Sequence, residues 1–171
     1  MHLPDGTVSI FTDGSAEPRK PGVMFPPAGW GFAAVTGGEG HEHKDGREIA
    51  SRCGSVTAST PNVRTGTNNS SELLAFTRAL QWARNSHLTQ GKAIVCRFDS
   101  AYASMIASGS WKARKHKALA AEAHAAWTDL RKHTNNQLWT RHVRGHSRHR
   151  WNNRSRRLPC KPRSVGSRRI S

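Results

Sequence analysis

The hydrophobic period of this chain changes near residue 70, and that change limits the folds open to it. Before it, strand-like runs dominate. Val8, Ile10 and Thr12 alternate with Thr7, Ser9 and Phe11, so Thr7 to Thr12 reads as a strand that Asp13-Gly14-Ser15 stops. A proline-rich loop, Glu17 to Gly29, leads to a second strand from Trp30 to Val35. The turn residues Gly37-Gly38-Glu39-Gly40 separate it from a third, Glu48 to Thr57. Spacing of this kind favours an antiparallel meander.

After a polar loop the period becomes helical. Leu73, Phe76, Leu80 and Ala83 fall at i, i+3, i+7 and i+10, with Leu74 and Trp82 alongside. Asn69 or Ser70 is the expected N-cap, which puts Glu72 in the first turn, where the helix dipole favours an anion. Ala93 to Phe98 reads as a buried fourth strand and Ala101 to Ala107 as a short helix broken at Ser108-Gly109-Ser110. Ala118 to Leu130 is an alanine-rich helix, Gln137 to Val143 a fifth strand, and a last helix follows. Strands, then helices alternating with strands, describe an α/β domain with a mixed sheet. The 171 residues suit one such domain, expected over 1–158, with a basic disordered tail at 159–171.

Charge narrows the partners. Lysine and arginine total 27 against 11 acids, a net charge of +16, and no acid follows Asp129. Such a field concentrates polyanions, so nucleic acid is favoured over a merely basic surface or a ribosome-type structural role. No apolar run nears the roughly 18 residues of a membrane span, and no secretory signal precedes the first strand. Cys53, Cys96 and Cys160 are odd in number and lack CxxC spacing, which argues against a disulfide framework. An intracellular protein, cytoplasmic or nuclear, is expected.

Against this background the few acids need a reason. Asp13 and Asp99 are expected directly after strands and Glu72 at the mouth of a helix. If the two strands are neighbours, both aspartates face the crevice where α/β sheets place ligands. Clustered carboxylates repel one another unless a cation joins them, and oxygen ligands suit Mg²⁺ or Mn²⁺. Two such ions can activate water and stabilise the leaving oxygen of a phosphodiester.

These residues resemble the type 1 ribonuclease H family. The resemblance rests on Phe11-Thr12-Asp13-Gly14-Ser15, Gly29-Trp30-Gly31, Thr67-Asn68-Asn69 with Glu72-Leu73, Asp99-Ser100, and Val143-Arg144-Gly145-His146-Ser147. It spans about Val8 to Trp151. The resemblance implies a ribonuclease H-like α/β fold: a five-stranded mixed sheet, three antiparallel strands then two parallel, flanked by helices. It implies a monomer that cleaves the RNA strand of RNA–DNA hybrids endonucleolytically, with Mg²⁺ (Mn²⁺ possible) as cofactor. Asp13, Glu72 and Asp99 match the family's first three metal-binding acids, and His146 its histidine for proton transfer or product release.

Further positions carry over to the hybrid. Asn68 and Asn69 match residues that reach the minor groove, where 2′-hydroxyls are read. Gly14 and Ser15 would offer backbone contacts to the RNA strand. Trp111, Lys112, Arg114, Lys115 and Lys117 match a basic element that grips the DNA strand through phosphates. Ala101 stands where the family often has glutamine. A zinc site from His142, His146, His149 and Cys160 fits no common finger spacing.

The resemblance breaks at its end. The family closes on a helix like Trp-Asn-Glu-Arg-Ala-Asp, and this chain has Trp151-Asn152-Asn153-Arg154-Ser155-Arg156. Arg156 thus occupies the position of the fourth metal-binding acid. At about 5 Å and an effective dielectric near 20, it would repel each unit of metal charge by roughly 3 kcal/mol. Cleavage is expected to be weakened; the alternative is a non-catalytic hybrid-binding relative. Ser155-Arg156-Arg157 can be encoded so that reading one base later gives Ala-Asp-Ala, the hypothesis being a frameshifted tail. A stop codon within a few triplets of the shifted frame would refute it.

Overall fold

Val8 and Ile10 point into one core with Phe32, Ala34, Ile94 and Cys96, while Phe11 and Val35 meet Val143 on the opposite face. That division is the period-two alternation of a sheet covered on both sides. The protein is described by a computed structural model for residues 2–37 and 46–144. Within them lie strands β1 (Val8–Ala16), β2 (Ala28–Thr36), β3 (Arg47–Ser55), β4 (Ile94–Phe98) and β5 (Leu138–His142). Helices α1 (Asn68–Asn85), α2 (Ala101–Ala107) and α3 (Lys117–His133) complete the set, with one 3-10 turn at His87–Thr89. The sheet order is β3-β2-β1-β4-β5. β1, β2 and β3 pair antiparallel, and β4 and β5 continue in parallel from β1.

The mixed five-stranded sheet is therefore as expected; most element ends shift by one to three residues, and two shifts bear on the site. β1 does not stop at Thr12. It runs on to Ala16 because Asp13 to Ala16 pair with Gly31 to Ala28 of β2, and those partners outweigh the turn preference of Asp-Gly-Ser. Asp13 accordingly lies inside a strand and not after one.

The cap of α1 also moved. Thr67 is the N-cap: its Oγ1 accepts from Ser70 N at 3.1 Å, and Ser70 Oγ accepts from Thr67 N at 2.9 Å. This reciprocal box satisfies two otherwise orphaned donors, so neither Asn69 nor Ser70 needs to cap. Glu72 then falls beyond the first turn, which holds no acid, and the dipole argument for its placement fails.

α1 lies on the face of the sheet shared by Val8 and Ile10, burying Leu73, Phe76 and Leu80 completely. Phe76 stacks on Trp127 of α3 with ring centroids 6.3 Å apart and meets Phe98 of β4 edge-on at 6.4 Å. Each such side chain contributes about 1.5–3 kcal/mol by burial. On the other face the guanidinium of Arg97, only 3% exposed, sits 5.8 Å from the centre of the Phe11 ring. Its Nε donates to Ser9 Oγ at 3.3 Å. Cys53, exposed on β3, is disulfide-bonded, so an odd cysteine count excludes a framework of bridges but not a single one.

Candidate metal centre and nucleic-acid interface

Phe11 and Arg97 form the last register pair between the parallel strands β1 and β4. Asp13 and Asp99 each stand two residues further on. Asp13 is still held by β2 through its pairing with Gly31, whereas Asp99 has left β4. Glu72 reaches the same point from α1. One carboxylate oxygen from each of the three lies within 4.8 Å of the others, and all three residues are half-buried. Among the described residues this is the sole such group of potential metal ligands.

The approach of α1 depends on Gly14. A Cβ at that position would run into the backbone of Ser71 and Glu72. A glycine at the crossing is what allows the helix to bring Glu72 against the strand. The same helix end is tied to β1 by Ala16 N, which donates to Asn68 Oδ1 at 2.7 Å.

Burial pushes the Glu72 carboxyl up, a hydrogen bond from Ser100 pulls it down, and the charge of Asp99 raises it again, with a net upward shift. Its Oε2 is buried and has no hydrogen-bond partner. A buried carboxylate oxygen without a partner, facing two more acids, is costly unless a cation completes it. The donor set is all oxygen, so these residues fit a hard divalent ion. Tyr102 lies close by, its phenol pushed up by burial and by the charge of Glu72. Cys96, beneath the site, is wholly buried and pushed up to about 12, which makes it an inert core thiol.

The residues expected to meet nucleic acid fall into two groups, one on β1 and α1 and one between α2 and α3. Asn68 and Asn69 are exposed on the first turn of α1, four and three positions before Glu72 and hence over the same helix face. Ser15 is half-buried and Gly14 buried against α1. Trp111, half exposed, lies with Lys112, Arg114, Lys115 and Lys117 on the segment from α2 to α3. A groove of about 920 Å³ joins the two groups, lined by Asn69, Tyr102, Trp111, Lys112, Arg114 and Lys115. Beside it a cleft of about 500 Å³ is lined by Arg19, Arg64, Thr67, Arg114, Lys115 and Lys117.

His116 borders both spaces, in a left-handed conformation with φ of 55° at the N-cap of α3. Its Nε2 lies 3.4 Å from Thr67 Oγ1, and burial, then Lys115, holds its pKa below the usual histidine value. Arg19, Arg64, Ser100, Tyr102 and His116 carried no role on sequence grounds. Ser100 was legible as the neighbour of Asp99; Arg19 and Arg64 sit in loops without period and carry no local signal.

His142, considered for zinc, instead contacts the Asp99 carbonyl through Nε2 at 3.0 Å and packs edge-on to Phe98. His146, His149, Arg156, Cys160 and the expected tail at 159–171 lie outside the described residues.

A five-stranded mixed sheet with α1 packed across β1 and β2 is the ribonuclease H-like fold. Residues 5–159 match the family model of RNase H, and the chain belongs to the RNase H family. It is similar to RNase H1 from the halophilic archaeon Halobacterium salinarum, at 21% identity, over 90% of this chain and 95% of that one, with a TM-score of 0.57. It is also similar to LC11-RNase H1, isolated from compost by a metagenomic approach, at 19% identity over 90% and 93%, with a TM-score of 0.64. The foamy viral protease-reverse transcriptase, solved in complex with RNA/DNA hybrid, matches at 15% identity over 93% of this chain and 20% of that one, TM-score 0.64. At these identities the likeness is one of fold. Comparison with curated protein sequences finds no match. No helix of the described residues is long and apolar enough to cross a membrane.

Proposed function

We propose that this protein is a divalent-metal-dependent endoribonuclease acting on the RNA strand of RNA–DNA hybrids. The observation that carries the reading is the convergence of Asp13, Glu72 and Asp99, with the Glu72 Oε2 atom buried and unpartnered. These three residues would hold Mg²⁺, or Mn²⁺ in its place, and a pair of such ions supplies an activated water and charge stabilisation at phosphorus. The chain's own residues would do the rest. Asn68 and Asn69, one turn from Glu72, suit contact with the minor groove of an A-like duplex. The cations of the segment from Trp111 to Lys117 would hold the second strand by its phosphates, adding affinity without sequence preference. A LC11-RNase H1 structure in complex with RNA/DNA hybrid supports the choice of partner.

A second reading has its own observation: Arg156 stands where the resemblance expects an acid. On that reading the protein binds hybrids without cutting them. A labelled RNA–DNA hybrid incubated with Mg²⁺ or Mn²⁺ separates the two, with EDTA and Asp13→Asn as controls. Metal-dependent cleavage lost in Asp13→Asn supports the nuclease; tight binding without cleavage supports the relative. No preference for hybrid over duplex DNA, and no metal effect, would defeat both.

A further inference from the structure

Glu122 stands on α3, apart from the residues given roles above. Its carboxylate accepts three hydrogen bonds from two other segments: Asn62 Nδ2 at 2.8 Å, Gln81 Nε2 at 2.9 Å and Arg78 Nη1 at 3.0 Å. Arg78 and Gln81 belong to α1, and Asn62 to the loop between β3 and α1. Asn62 has φ of 64°, a left-handed conformation that asparagine adopts more readily than most side chains.

Asn62 is also a wall residue of the cation-lined cleft. Arg19, Arg64 and Thr67 stand on its loop side, and Arg114, Lys115 and Lys117 on the side of the α3 N-terminus. Five like charges around so small a space repel one another. The covalent path between the walls is long, running through α1, β4 and α2, so direct contacts across the cleft hold their spacing, Thr67 Oγ1 to His116 Nε2 at 3.4 Å being one. Glu122, on the helix, and Asn62, on the loop, make a second and shorter one at 2.8 Å, and Arg78 and Gln81 fix the carboxylate's angle from behind.

We propose that Glu122, acting through Asn62, is a positioning residue that sets the width of this cleft and thereby its grip on a nucleic-acid backbone. The inference rests on the hybrid-binding reading above and adds a determinant of affinity remote from the acids. It predicts that reach, and not charge alone, matters at position 122.

The test is fluorescence anisotropy with a labelled RNA–DNA hybrid in EDTA over a salt series, on the full chain, with a thermal melt of each variant. Asn62→Gly removes the tie but suits the left-handed backbone, so the fold is retained. Glu122→Asp keeps the charge and shortens the reach. Both should weaken binding roughly threefold to tenfold, with a salt slope smaller by about one as a phosphate contact is lost. Wild-type affinity and slope in Asn62→Gly overturn the inference while leaving the hybrid reading intact. So does a loss confined to Glu122→Gln with Glu122→Asp unaffected, which marks a field effect. Weakening that merely follows the unfolded fraction in the melts also counts against it. Failure of the unaltered chain to bind hybrid sinks both readings.

Discussion

Asp13 and Asp99 stand the same two residues beyond the last register pair of β1 and β4, so the parallel pairing itself sets them side by side. Ladder hydrogen bonds fix the relative height of neighbouring strands, so residues at equal distance past the last pair stand at the same height. Neither side chain needs a partner of its own to reach the other's neighbourhood. Glu72 is the member that depends on a helix, and so on Gly14.

Removing one acid should uncouple the site from metal. With Mn²⁺ at about a hundred times its dissociation constant, linkage stabilises the folded chain by roughly 2.7 kcal/mol. Asp13→Asn should lose most of that gain and lower cleavage by at least roughly a hundredfold, since metals supply several kcal/mol to such reactions. Without metal the variant should melt higher, because one term of the carboxylate repulsion is gone. Differential scanning fluorimetry with and without EDTA reads both effects.

Gly14→Ala should harm the site more than the fold. The added methyl meets the α1 backbone at Ser71 and Glu72, which has no flexible end to move aside. Overpacking of this kind costs typically about 1–3 kcal/mol. The displaced segment carries Glu72, so metal-induced stabilisation should fall out of proportion to the loss in a urea melt. Equal metal response in the folded variant would contradict this.

The Glu122 network makes a pH-dependent contribution to stability. Burial alone would raise its carboxyl, but hydrogen bonds from Asn62 and Gln81 and the charge and hydrogen bond of Arg78 hold it below the usual 4.5. A folded-state pKa below the unfolded one means stability present above about 4.5 and lost as pH falls through the lowered value. Glu122→Gln should therefore be less stable than the unaltered chain at pH 7, with the difference closing toward pH 3. Urea midpoints across that range check the sign.

Arg156→Asp tests the break in the resemblance. Were the side chain at 156 about 5 Å from the metal, as the resemblance implies, exchanging the cation for an acid would remove a repulsion of roughly 3 kcal/mol per unit of metal charge at an effective dielectric near 20. Metal-dependent hybrid cleavage should rise tenfold or more, with hybrid affinity in EDTA little changed. Cleavage equal in the two proteins would show that Arg156 does not weaken the site.

Several features were legible in the residues themselves. Alternation at Val8 and Ile10 marked a strand, and the spacing of Leu73, Phe76 and Leu80 marked a helix, because those periods are properties of the local backbone. Composition pointed to polyanions, and motif order pointed to the family that the chain matches over residues 5–159. Local preference misplaced two boundaries that matter to the site. Asp-Gly-Ser looked like a turn and became strand through β2, and Thr67 took the cap because Ser70 could reciprocate.

The sequence by itself determined which residues could do chemistry: three acids in a chain of net charge +16, two asparagines before a helix, and a run of cations after one. Tertiary structure alone decided that the acids come within 4.8 Å, that Glu72 keeps an unpartnered oxygen, and that Arg19 and Arg64 share a cleft with Lys117. The reason is physical. Period, caps and charge are written in neighbouring residues, whereas the meeting of β1, α1 and β4 depends on strand register and on the missing side chain at Gly14.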